Sequence, residues 1–287
     1  MAKTHRSMRL PLSRSLRSSR HSSLRRVVFA IVCVALASVG SRAIAEGEAA
    51  GLEIAKKADD ARRAKSEHQV LTMTLENSRG QTRVRTIEAW DREMTEDEEQ
   101  RFSRFLEPAD VKDTTLLTYD YEHKDDDIWL FLPALKKVKR ILSSNKSDYF
   151  MGSDFTYEDM ENLDLVNWAY TLAGTETIDG TECHALDAVP SSDQEKSETA
   201  YSKVKYWIGV EDNLFRKVDY YDKKDRLSKR LTTADIHTTS PTDPRKRAHK
   251  LTMESFLTKH TTRLEMRKLE LDVPVGDELF SQRSLRE

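Results

Sequence analysis

The sequence predicts a mainly β protein: about ten to twelve short antiparallel strands in a sandwich or a curved, barrel-like sheet, with an N-terminal helix and a helical insertion near the middle. Three observations carry this. Apolar and polar residues alternate at a period of two through most of the chain, as in Leu71, Met73 and Leu75. Turn-forming clusters such as Asn77-Ser78-Arg79-Gly80 and Asp179-Gly180 recur between the alternating runs. No internal repeat or long linker interrupts them, so residues 46–287 read as one domain.

Of the 287 residues, the first 45 read as a signal peptide. Basic residues crowd the stretch before Val27, an apolar run follows from Val27 to Val39, and Ala43-Ile44-Ala45 is a small-x-small pattern that places the cut after Ala45. The apolar run is shorter than the ~20 residues a membrane-spanning helix needs. Export is the expectation, with Arg25-Arg26 fitting a twin-arginine signal only loosely. Without the nine basic residues of that segment, 38 Lys and Arg face 49 Asp and Glu, a net charge of −11. So acidic a surface argues against nucleic acid as a partner. One cysteine, Cys183, remains, so no internal disulfide is available and the fold rests on its core.

Glu46 to Ser66 reads as an amphipathic helix with Leu52, Ile54, Ala55, Ala58 and Ala61 on its apolar stripe. The period then changes to two, and Val70 to Glu76 and Gln81 to Trp90 form a hairpin. Asp91 to Gln100, with five acidic residues between Glu93 and Glu99, reads as a solvated hairpin tip. Strands follow at Arg101 to Leu106 and Thr114 to Tyr121, the second with Thr115, Leu117, Tyr119 and Tyr121 on one face. His123 to Asp127 is a polar turn. Beyond the central stretch, Tyr157 to Leu163 reads as a short helix with Asp154 as N-cap or loop anchor. Leu165 to Thr175 and Thr181 to Val189 form a second hairpin, Tyr201 to Thr233 a meander, and Ala248 to Thr258 and Thr261 to Leu271 the closing strands, before a short terminal helix from Asp277 to Leu285.

No catalytic constellation emerges. The histidines after residue 45 are scattered, without H-E-x-x-H or metal-ligand spacing. Cys183 and His184, adjacent in a strand, point to opposite faces. There is no G-x-S-x-G, P-loop or G-x-G-x-x-G. Asp125-Asp126-Asp127 lacks the alternate spacing of a calcium loop and reads as a solvated turn. The expectation is therefore a protein that is not an enzyme, without cofactor or metal. What remains is shape. Leu71, Met73, Leu75, Leu117, Tyr119, Trp129, Phe131, Met253 and Leu257 are candidates for the inner face of a curved sheet. Lidded only by helices, such a face is an apolar cavity suited to acyl chains; filled, it is an ordinary sandwich core, and alternation does not separate the two.

The central stretch, Asp127 to Met160, departs from routine. Ile128-Trp129-Leu130-Phe131-Leu132 is apolar, Pro133 stops it, Lys136, Lys137, Lys139 and Arg140 make it basic, and four aromatics surround Gly152 between Tyr149 and Tyr157. I-W-L-F-L-P-A-L-K-K-V-K-R-I followed by S-D-Y-F-M-G-S-D-F-T-Y-E-D resembles the LolA-like outer membrane lipoprotein-sorting protein family. The upstream R-F-L-E-P-A-D-V-K-D-T-T-L-L is similar to the same family's strand, proline and T-x-L-L segment. The resemblance implies an incomplete antiparallel β-barrel of about eleven strands closed over by helices. It implies a non-catalytic carrier that holds lipid or lipoprotein acyl chains and moves them across the periplasm toward the outer membrane. It also implies an inner-membrane transporter of the resistance-nodulation-division (RND) type as a partner. The alternative is an adaptor or accessory subunit of such a transporter, without a ligand of its own; on either reading the chain is expected to be a monomer.

Carried onto this chain, the motif makes Trp129 and Phe131 expected cavity wall, with a barrel-core aromatic pair as their other reading, and they join Leu71, Met73, Leu117 and Tyr119 from the alternating strands. Phe150, Met151, Phe155 and Tyr157 are the expected lid. Lys137, Lys139 and Arg140 are the expected rim, facing lipid head groups or an acidic partner, unless they are simply solvated. Arg140 could instead pair with Asp154 or Glu158. Gly152 and Asp154 are the expected loop anchors, Gly152 where a side chain would not fit.

Overall fold

Hairpins dominate the chain because its turn residues accept left-handed backbone: Asp179 and Gly180, for example, sit at φ 47° and 82°. In the computed structural model, which describes residues 45–95 and 97–287, thirteen strands form one antiparallel sheet. The stretch read as a signal peptide lies outside the described residues, apart from Ala45. The strands are β1 (Ser66–Glu76), β2 (Thr82–Thr95), β3 (Glu98–Glu107), β4 (Thr115–Tyr121), β5 (Asp127–Leu132), β6 (Lys137–Ile141), β7 (Trp168–Ile178), β8 (Thr181–Pro190), β9 (Tyr201–Gly209), β10 (Phe215–Asp222), β11 (Leu227–Ser240), β12 (Asp243–Ser255) and β13 (His260–Leu271). A helix, α1, occupies residues 45–62, and a short one, α2, Asp193–Glu198. Among the described residues no helix is long and apolar enough to cross a membrane.

The sheet runs β6-β5-β4-β3-β2-β1-β13-β12-β11-β10-β9-β8-β7. Neighbours in sequence are neighbours in space, and the β1–β13 pairing joins the two halves. β6 and β7 are the two edges and do not pair, so the barrel is incomplete, with thirteen strands where about eleven were expected. The connection between them, residues 142–167, runs from one edge of the sheet to the other. It is built of three short 3-10 turns, Ser143–Asn145, Phe150–Gly152 and Glu158–Met160, rather than the expected helix over Tyr157 to Leu163.

Alternation assigns the two faces. Leu71 and Met73 of β1, Ile87 of β2, Phe105 of β3, Leu116 of β4, Ile128 and Leu130 of β5 and Ile141 of β6 form one buried cluster with Phe150 and Tyr157 of the crossing segment. The opposite face of β3–β5 is covered by the chain's last turns: Phe102 and Leu117 pack with Phe280 and Leu285. α1 lies on β7–β9, with Ile54, Ala55 and Ala58 against Tyr170, Leu186, Ala188 and Ile208. Gly51 permits that approach, since a Cβ there would stand 2.5 Å from the Tyr170 carbonyl oxygen. Arg247 of β12 donates to the Ala61 and Arg62 carbonyls at 3.2 and 2.9 Å, satisfying the last turn of α1.

Candidate ligand-binding cavity

Between the sheet, α1 and the crossing segment lies a cavity of about 740 Å³. Its apolar part is lined by Leu71, Met73, Ile87, Leu116, Ile128, Phe150, Phe155, Tyr157, Leu264 and Met266. The alternation of β1 and β2 carries straight on into a charged part: Glu67 and Gln69 precede Leu71 on the same face, and Asp91 and Glu93 follow Ile87 and Ala89. The exposed residues Asp97, His123, Lys124 and Asp125 also line it, so it opens at the β2–β3 and β4–β5 turns.

The crossing segment is fixed inside the sheet. The Phe150 ring lies 5.8 Å from both Phe105 and Tyr157, and Phe155 packs with Tyr201, Val204, Val218, Tyr220 and Met253. Met151 and Gly152 are both left-handed, at φ 49° and 74°. Space around Gly152 is open, so glycine is favoured there by backbone conformation and not, as expected, by crowding. The bend turns the Met151 carbonyl toward Arg85, whose Nη1 donates to it at 2.7 Å. Asp154 caps no helix; it is buried and hydrogen-bonded to Thr262. Asp159 pairs with Lys229, both buried, and accepts from Tyr201 Oη at 2.7 Å. Glu158 accepts from the Ala200 N–H at 2.9 Å.

The charged part is an ordered network. Arg101 lies 2.9 Å from Glu99, 3.2 Å from Asp120 and 3.9 Å from Asp91. Lys146 lies 2.9 Å from Glu161 and 3.7 Å from Asp126. Asn162 bridges the groups, donating to Glu99 at 2.7 Å and accepting from Arg62 at 2.9 Å. Burial pushes Asp91 up to about 8 although Arg101 opposes it. Burial acts on Glu99 in the same sense, but Arg101 and Asn162 outweigh it and hold that carboxyl at about 2. Burial and the Asp120 charge raise Asp126 to about 6 against Lys146. At the mouth Asp97, Glu122 and His123 bring ligand atoms within 4.8 Å of one another, and two of the three are exposed.

The expected site residues therefore divide. Leu71, Met73, Phe150, Phe155 and Tyr157 line the cavity; Met151 packs against the same cluster. Leu117, Tyr119, Trp129 and Phe131 do not: they point to the opposite face, where Tyr119 stacks edge-on against Trp129 and donates to the Phe280 carbonyl. Both faces of β4 and β5 carry apolar packing, the Trp129 and Phe131 face of β5 half-buried, so the alternation there has no polar side to mark it, and the wall residues are Leu116, Thr118 and Ile128 instead. Of the other inner-face candidates, Met253 is buried and Leu257 is exposed in the β12–β13 turn. Lys137 and Lys139 are exposed on β6, without an ion pair among the described residues. Arg140 pairs with Asp127, not with Asp154 or Glu158. The acidic stretch read as a solvated tip is strand almost to its end and supplies Asp91 and Glu99 to the cavity. Asp126, read as part of a solvated turn, accepts from the Tyr121 N–H at 3.0 Å. The sequence carries one signal, the basic residue Arg101 two positions from Glu99 on β3; its place across from Asp91 emerges only with the register.

Known proteins share this architecture. An outer membrane lipoprotein-sorting protein domain from Vibrio parahaemolyticus superposes with a TM-score of 0.77 at 29% identity, over 84% of this chain and 100% of that one. A DUF1329 family protein from Desulfovibrio piger gives 0.77 at 30% identity, over 83% and 99%. A LolA superfamily protein from Nitrosomonas europaea, 18% identical with a TM-score of 0.62 over 82% and 98%, shares the fold. No curated protein matches the sequence. The family model that matches, over residues 97–287, is described only as that of an uncharacterized protein. With the W-L-F-L-P-A and F-M-G-S-D-F-T-Y-E-D stretches placed in this LolA-like fold, the chain belongs to the DUF1329 family.

Proposed function

We propose that this protein is a non-catalytic periplasmic carrier that holds lipid or lipoprotein acyl chains in its cavity and moves them toward the outer membrane. The observation that carries the reading is the cavity of about 740 Å³ with its apolar half closed by Phe150, Phe155 and Tyr157. Sites for small ligands run at roughly 300–1,000 Å³. Each methylene moved from water into such a lining is worth about 0.8 kcal/mol, so a short acyl chain gains several kcal/mol without a polar contact. The lipoprotein-sorting relatives support the same reading, as does the apolar-to-charged gradient along β1 and β2, which suits a ligand with a tail and a head. An RND-type transporter is the natural donor, with this chain acting as a monomer. Titration with a fluorescent fatty-acid probe tests the carriage: saturable binding at one site, lost when Met73→Trp fills the apolar part, is expected. Absence of saturable binding by the folded protein overturns it in favour of a ligand-free adaptor.

A further inference from the structure

We propose that the end of the sheet opposite the cavity mouth docks on a bilayer surface bearing anionic head groups. The inference goes beyond the carrier reading and stands on a different surface. Strand register makes neighbours of three turns at that end, β1–β2, β12–β13 and β10–β11, through the pairs Glu76↔Thr261, Lys229↔Ser255 and Tyr221↔Leu227. The middle turn carries Phe256 and Leu257 side by side, 43% and 52% exposed. Two large apolar side chains at a turn tip contribute little to the core, whereas burial among acyl chains removes both from water. The Phe256 N–H donates to the Ser228 carbonyl at 2.9 Å, which fixes the tip beside the β10–β11 turn.

The surroundings of that tip are basic. Lys223, Lys224, Lys259, Arg79 and Arg83 form no ion pair among the described residues, and Lys223 donates only to the Lys196 carbonyl. Of the nearby carboxylates, Glu76 is held by Arg263 at 2.7 Å and Asp222 by Arg226 at 2.6 Å, which leaves Asp225 and Glu254. Beside the tip a second cavity, of about 490 Å³, is lined by Arg79, Arg83 and His260, and its own carboxylates, Glu76 and Asp154, are already bonded to Arg263 and Thr262. Two guanidiniums and an imidazole around one opening suit the oxygens of a phosphate head group. The patch ends at α2, which carries Asp193, Glu195 and Glu198. The mouth lies roughly 30 Å away along β1, and the turns there carry Asp97, Glu122, Asp125 and Asp126 against Lys124. An anionic surface attracts the first end and repels the second, so the docked protein keeps its mouth turned to solvent, within reach of a soluble partner.

Co-sedimentation of the full protein with vesicles tests the docking, one set made of phosphatidylglycerol and phosphatidylethanolamine and the other of phosphatidylcholine alone. Binding to the anionic set at least roughly tenfold tighter is expected, weakening as salt rises. Phe256→Ser/Leu257→Ser should weaken it about tenfold or more, and so should Lys223→Gln/Lys224→Gln, with thermal melts unchanged because all four side chains are exposed. Met73→Trp, which fills the main cavity, should bind vesicles like the native protein. Equal binding to both sets, no binding, or full binding by both double variants overturns the docking. Loss of binding in Met73→Trp alone overturns it as well and leaves the carrier reading standing, because the association then runs through the cavity.

Discussion

The Thr262 hydroxyl donates to Asp154 Oδ2 at 2.7 Å and accepts from the Asp154 N–H at 2.9 Å, both residues being buried. This reciprocal pair ties the segment that crosses between the sheet edges to β13, where the two halves of the sheet meet. Removing one partner strands the other's polar groups away from water. Asp154→Ala or Thr262→Val should cost about 1–3 kcal/mol, and each kcal/mol lowers Tm by about 2–4 °C in a protein of this size. Asp154→Asn keeps an acceptor and should lose much less. Thermal melts of the three variants check the ranking; an Asn variant as unstable as the Ala variant contradicts it.

Asp159 and Lys229 form a second tie from the same segment, to β11, with side chains 0% and 5% exposed. Lys229→Met leaves a buried carboxylate with only Tyr201 and the Thr156 N–H to satisfy it. The single variant should lose about 3–5 kcal/mol, and the double variant Asp159→Leu/Lys229→Met less, because no charge is then stranded. Urea unfolding of the set decides; additive losses would show that the pair is not coupled.

Stability should fall as pH rises past neutrality. Asp91, at about 8 in the fold, binds a proton that the unfolded chain releases near the ordinary value of 3.8. Between those values the folded state holds more protons, so rising pH destabilises it, and below 3.8 the contribution is fully present. Asp126, at about 6, adds to the lower part of that window. Glu99, held at about 2, works in the opposite sense and only in acid, as pH falls from 4.5 toward 2. Melts from pH 5 to 9 should show Tm declining for the native protein and a shallower decline for Asp91→Asn. A native Tm that climbs between pH 6 and 9 contradicts the assignment.

The two faces of β4 and β5 should separate in mutants. Trp129→Ala and Phe131→Ala open the packing under Phe280 and Leu285 and should cost about 3–5 kcal/mol in stability with little effect on ligand retention. Phe150→Ala and Phe155→Ala should cost a similar amount and also release ligand faster. Retention measured on folded protein distinguishes them. Unchanged retention in the Phe150 and Phe155 variants removes those rings from the lid.

Much of this architecture was legible in the sequence, and the exceptions have physical reasons. Alternation puts Leu71 and Met73 on the side that faces the cavity, because β1 has one apolar face that is buried and a more polar one beside it. It failed at Leu117 and Trp129 because the C-terminal turns bury the second face as well, and the period of two then carries no direction. The acidic stretch between Asp91 and Glu99 misled in another way. A run of acids is usually solvated, and only the pairing that brings Arg101 across from Asp91 reveals an internal network. Cross-strand pairs are invisible until the register is known. The crossing segment was singled out by composition, but its path from edge to edge follows from strand order alone.

Native mass spectrometry of the protein purified from its native host, beside a Met73→Trp variant prepared in the same way, tests the carrier reading most directly. The account predicts a native species heavier than the bare chain by one acyl-bearing ligand, which dissociates on activation, and a variant that folds but emerges empty. A native protein that is consistently of bare-chain mass, while still folded, would contradict it.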